Sequence, residues 1–152
     1  MNQHPVLSYL HDQRESLIEL VSELVLIESP STEASSQAAI LERLRAEFER
    51  LDYRVIQLPG KTSGGHLYAA PRERARHQPA QLMIGHCDTV WPLGTLQSMP
   101  LLRDGEKLSG PGVYDMKAGL TEMIFALQTI RALGLAAEVA PLCFINSDEE
   151  TG

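Results

Sequence analysis

Three segments of this chain carry side chains able to hold a divalent metal and move a proton. His86 and Asp88 stand two apart in QLMIGHCDTV, residues 81–90. Asp115 lies in the glycine-rich stretch GPGVYDMKAG, residues 110–119. Asp148, Glu149 and Glu150 directly follow the apolar run VAPLCFIN. Imidazole and carboxylates without a thiolate pair suit zinc, cobalt or manganese. Residues two apart on an extended chain face the same side, so His86 and Asp88 look one way and Cys87 the other. A ligating histidine commonly gives its second ring N–H to a carboxylate, and Asp88 is placed for that role. Adjacent glutamates after a strand are expected to diverge. One then binds metal while its neighbour serves as general base.

Each segment also has a plainer reading. His86 and Asp88 could belong to a surface turn, and the Asp148–Glu150 run to a solvated one. Asp115 ahead of a helix could be its N-cap. Lys117 could be a surface residue at a helix start, and Gly110-Pro111-Gly112 a tight turn. Trp91-Pro92 could be packing alone. His4, His11 and His77 sit in polar segments and read as exposed, and His66 as structural.

The elements that must position these groups follow from periodicity. Apolar residues three and four apart over 6–27 predict an amphipathic helix with a break near Asp12, stopped at Pro30. A second helix is expected from a cap at Ser35 or Ser36 through about Leu51. Strands are expected over 53–58, 66–70, 81–85 and 139–146, with a helix over 116–133 closed by Gly134. The stretch between His86 and Asp115 reads as irregular. This order predicts an α/β domain with a mixed, largely parallel sheet and flanking helices, in which the last strand is interior. The strand–helix–strand unit of 81–146 should be a parallel crossover, which brings two of the three segments to neighbouring strand ends.

At 152 residues and 43% hydrophobic, the chain suits one core. A net charge of −7 and the lack of a basic stripe argue against nucleic acid or an anionic membrane as partner. No window has the length of a membrane span, and the N-terminus lacks the pattern of a signal peptide. Cys87 and Cys143 lie in or beside apolar runs and read as buried free thiols, which points to the cytoplasm.

LMIGHCDTV, LSGPGVYDMKAGL and FINSDEETG, in this order and spacing, resemble the dizinc metallopeptidase and deacylase family. Aminoacylases, acetylornithine deacetylase, succinyl-diaminopimelate desuccinylase and glutamate carboxypeptidases belong to it. HCDTVWPLGT and INSDEETG look most like the glutamate carboxypeptidase branch. The resemblance spans nearly the whole chain. It implies hydrolysis of an amide beside a free carboxylate, on a small peptide or N-acyl amino acid, with two Zn2+ per complete site and Co2+ or Mn2+ as substitutes. Deacylation of N-acyl amino acids is the near alternative, and a non-catalytic scaffold an alternative of a different class.

By the same resemblance His86 would bind one zinc, oriented by Asp88, and Asp115 would bridge both, with the Asp115–Met116 peptide cis. Glu149 would be the general base and Glu150 a ligand of the second zinc. The family pattern further requires a later carboxylate ligand, a later histidine ligand and an inserted lid and dimerisation domain. Residues 1–152 are therefore expected to be the N-terminal part of a zinc-peptidase catalytic domain, and a homodimer only in a longer form. Alone, they are expected to bind metal weakly and to hydrolyse little.

Overall fold

A computed structural model describes residues 4–136 and 138–151. Helix α1, Pro5–Asp12, starts on a proline whose missing N–H costs nothing at that position, and His4 Nδ1 caps it by accepting from the N–H of Val6. Gln13 separates it from α2, Arg14–Leu26, which buries Leu20, Val21, Leu24 and Val25 along one stripe. The break near Asp12 is thus observed. Helix α3, Ala38–Arg50, buries Ile40, Leu41, Leu44 and Phe48. Neither Ser35 nor Ser36 caps it. A 3-10 turn over Ala34–Gln37 feeds straight into the helix, and the Ser36 hydroxyl donates backward to the carbonyl of Glu33.

The strands are β1, Tyr53–Leu58, β2, His66–Pro71, β3, Ala80–His86, β4, Leu102–Asp104, β5, Lys107–Ser109, and β6, Ala140–Asn146. Four of them form one sheet in the order β1-β2-β6-β3. It is mixed, as expected, and β6 is interior. Antiparallel pairs are nevertheless the majority, β1 with β2 and β2 with β6, and only β3 with β6 is parallel. The reason is local. The 59–65 loop folds β2 back as a hairpin, and β6 inserts between β2 and β3 rather than extending the sheet outward.

Helix α4, Thr95–Ser98, and the β4–β5 hairpin occupy the stretch expected to be irregular. The two-residue loop is Gly105-Glu106, with Gly105 at φ 56°, a hairpin turn signal that three-residue strands made easy to overlook. The last helix, α5, runs Ala118–Ala132. It ends as predicted at Gly134 (φ 58°): the N–H of Leu135 reaches the Ile130 carbonyl at 2.9 Å and that of Gly134 the Arg131 carbonyl at 3.2 Å.

The core lies between the helices and one sheet face. Leu67 and Ala69 of β2 and Cys143 and Ile145 of β6 meet Leu24, Leu44, Phe48 and Ile124. Each such aliphatic or aromatic side chain contributes roughly 1.5–3 kcal/mol on leaving water. β3 is an edge strand, and its Leu82 (52% exposed) and Ile84 (64% exposed) stand on the outer side. Among the described residues, no helix is long and apolar enough to cross a membrane.

Candidate metal centre

The parallel register of β3 and β6 pairs His86 with Asn146, so the two strands end side by side. The His86–Asp88 segment and the Asp148–Glu150 segment consequently leave the sheet at one place. The third segment arrives from the N-terminal end of α5. Val113–Lys117 is an irregular turn in which Asp115 is extended (φ −124°, ψ 102°) and the Asp115–Met116 peptide is cis. Gly112 enters this turn at φ 70°, where a Cβ would lie 2.6 Å from Thr89 Cγ2. Gly85 allows α5 to approach β3, since a Cβ there would lie 2.7 Å from Leu120 Cδ2.

His86 is the hub. Its Nε2 lies 3.0 Å from Asp115 Oδ1 and 3.9 Å from Glu149 Oε2. Ligand atoms of His86, Glu149 and Glu150 all lie within 4.8 Å of one another. Asp115 stands outside that trio and joins it through Nε2. The two glutamates do not diverge as expected of a strand. Glu149–Thr151 is a 3-10 turn, so alternation does not apply and both carboxylates reach the histidine.

Behind the ring, Nδ1 faces Asp88, 3.1 Å from its main-chain oxygen and 3.4 Å from Oδ1. The main-chain contact is the shorter. Asp88 is fully buried. Burial opposes its ionisation, but hydrogen bonding with His86, Ser31 and the N–H groups of Glu150 and Glu149 prevails and holds its pKa below the usual carboxylate range. The His86 pKa is pushed up to about 9, chiefly by Asp88 and then by Asp115, against the effect of burial. Burial raises the Glu150 carboxyl, and neighbouring Asp115 raises it further.

Lys117 is a correction. It is not a surface residue but 1% exposed, with Nζ donating to the Ile27 carbonyl at 2.8 Å. Burial lowers its pKa to about 8. Among the described residues, no lysine or arginine forms an ion pair with Asp88, Asp115, Glu149 or Glu150. Carboxylates gathered without lysine or arginine around one imidazole nitrogen form a donor set that a divalent metal fits, because its charge relieves their repulsion.

A set of neutral polar residues beneath the centre escaped sequence reasoning. Ser29 Oγ donates to the Cys87 carbonyl at 2.7 Å and Ser31 Oγ to Asp88 Oδ2 at 2.6 Å. Gln37 Nε2 donates to the carbonyls of Pro30 and Ser147. The signal was the Ser-Pro-Ser turn at 29–31, which read only as a helix stop. His66 stacks on Phe144 with ring centroids 5.7 Å apart, consistent with a structural role. His4, His11 and His77 are exposed, and Cys87 and Cys143 are buried free thiols.

An imidazole and acidic groups collected at the ends of adjacent parallel strands define a candidate divalent-metal centre in an α/β domain. Residues 82–152, just under half of the chain, match the model of peptidase family M20/M25/M40. It is similar to carboxypeptidase G2 of Pseudomonas sp. (strain RS-16), 28% identical over 143 residues, covering 93% of this chain and 34% of that protein. It is also 30% identical over 158 residues to a probable carboxypeptidase of Aspergillus clavatus, covering 100% of this chain and 31% of the relative. The chain thus spans about a third of the length of these relatives. Human carnosine dipeptidase 1 shares the fold, with a TM-score of 0.84 at 21% identity over 97% of this chain and 35% of that one.

Proposed function

We propose that this chain supplies part of the catalytic centre of a dizinc amide hydrolase that cuts beside a free carboxylate, in the manner of a glutamate carboxypeptidase. The observation that carries the reading is the convergence of His86, Glu149 and Glu150 within 4.8 Å, with Asp115 on His86 Nε2. His86, Asp115 and Glu150 would hold the metals. Bound there, zinc supplies Lewis-acid polarisation of the scissile carbonyl and acidifies the attacking water.

The remaining work falls to this chain's own groups. Glu149, with its side chain 55% exposed, is free to take the proton from water and return it to the leaving amine. Asp88 presents oxygen to His86 Nδ1, which keeps Nε2 directed at the cluster. Small peptides with a C-terminal carboxylate are the proposed substrates, and the carboxypeptidase names of the relatives support this. The unbridged, buried cysteines support a cytoplasmic setting.

The test uses the protein at its natural length. Zinc content is measured by mass spectrometry, together with hydrolysis of peptides ending in glutamate. Glu149→Gln is expected to retain zinc while losing on the order of 100-fold or more in kcat. Wild-type protein without zinc, or a Glu149→Gln variant with unchanged turnover, would overturn the reading.

A further inference from the structure

The carboxylate of Asp88 meets three groups from other parts of the centre, two through hydrogen bonds to Oδ2 and one by proximity to Oδ1. Oδ2 accepts from Ser31 Oγ at 2.6 Å and from the main-chain N–H of Glu150 at 3.1 Å. Oδ1 faces His86 Nδ1 at 3.4 Å. One buried carboxylate therefore touches both the histidine that ends β3 and the turn that carries Glu149 and Glu150. Of the two donors to Oδ2, the Ser31 hydroxyl is the nearer.

Ser31 is itself held at several points. It is 7% exposed, its N–H donates to the Thr89 carbonyl at 3.1 Å, and Thr89 in turn donates to the Ser29 carbonyl at 3.0 Å. A short parallel bridge between Pro30 and Thr89 continues the contact. The hydroxyl can also reach the Thr89 carbonyl, 3.2 Å away, but the carboxylate at 2.6 Å is the closer and charged acceptor.

We infer that Ser31 is a positioning residue: its hydroxyl fixes Asp88 so that a single carboxylate sets both the His86 ring and the Glu149–Glu150 turn. This deepens the metal-centre reading above and rests on it for the consequence on metal binding. Without the hydroxyl, the carboxylate loses its shortest hydrogen bond and is held less firmly, by the Glu150 N–H and the His86 ring alone. The histidine and the glutamate turn then lose their common reference. A residue that merely filled space would leave both unchanged when replaced by a group of similar volume.

The experiment compares wild type, Ser31→Ala, Ser31→Cys and Ser31→Thr in the natural-length protein. In the metal-free state, nitrogen–proton correlation spectra report the His86 ring and the Glu150 amide at one fixed pH. Both signals are expected to move together in Ser31→Ala, and to return toward wild type in Ser31→Thr. Cobalt titration, followed by its visible absorption, is expected to show a 10–100-fold loss of affinity in Ser31→Ala and recovery in Ser31→Thr. Ser31→Cys roughly keeps the volume with a weak donor, and it should show the same shifted signals and loss of cobalt affinity, so the test stands even if the alanine variant does not fold. Unmoved His86 and Glu150 signals in the alanine and cysteine variants would overturn the inference. Signals that move while wild type takes up no cobalt would instead sink the metal reading and leave the positioning role standing.

Discussion

The carboxylate of Glu28, just beyond α2, accepts the main-chain N–H of Gly94 at 2.8 Å and that of Leu96 at 3.0 Å. It thereby fastens the segment that follows His86 and Asp88 to the helix that precedes Ser31. The donors, Leu96 first and Gly94 second, hold the Glu28 pKa below its ordinary value. A carboxylate with a depressed folded-state pKa stabilises above its unfolded pKa and loses that stabilisation as pH falls through the folded value. Glu28→Gln should therefore cost about 1 kcal/mol at pH 7, a figure kept small because the group is partly exposed. The difference in Tm between wild type and variant should shrink as pH drops below about 4.5. A difference independent of pH would contradict this role.

Gln37 is completely buried and joins three loops. It donates to the carbonyls of Pro30 (3.1 Å) and Ser147 (2.8 Å), and its Oε1 accepts the N–H of Gly64 at 2.6 Å. Gln37→Leu keeps much of the volume and strands these three main-chain groups. Each unsatisfied buried group costs roughly 1–3 kcal/mol, so a loss of about 3 kcal/mol or more is expected in urea unfolding. A loss below about 1 kcal/mol would show that water replaces the amide.

Gly112→Ala is expected to cost roughly 2–3 kcal/mol, because φ 70° disfavours a Cβ and the added methyl meets Thr89 Cγ2 at 2.6 Å. Thr89 is buried, so it has little room to withdraw. The same variant should disturb the approach of Asp115 to His86. Denaturant unfolding measures the first effect, and an unchanged midpoint would refute the steric argument.

Burial pushes both cysteine thiols up to about 12. A thiol reacts as thiolate, and one with a raised pKa stays protonated until pH climbs toward that value. Native protein at pH 8 should label slowly with a chromogenic disulfide, and both thiols should react at once after unfolding in urea. Rapid labelling of the folded protein would mean that the face beneath β6 opens.

Local chemistry made some of this legible in the chain alone. The α2 stripe, the Gly134 helix stop, the strand ends at 58 and 146, and the three acidic segments rest on periods and turn residues that neighbours in sequence enforce. The 81–146 crossover predicted that His86 and the Asp148–Glu150 run would meet, and the His86–Asn146 register shows why. The same local reasoning failed where distant partners decide. The insertion of β6 between β2 and β3 turned a largely parallel expectation into a mostly antiparallel sheet, since pairing depends on which edges are open after collapse.

The side chains follow the same division. That His86, Asp115, Glu149 and Glu150 are metal-competent is a property of residue type and spacing. That both glutamates face His86, that Lys117 is buried against Ile27, and that Ser31 holds Asp88 are matters of tertiary structure. Ser31 and Asp88 are separated by 57 residues, and no periodicity links them. Burying a carboxylate requires donors wherever the fold can bring them, and only the packed structure determines which hydroxyl arrives.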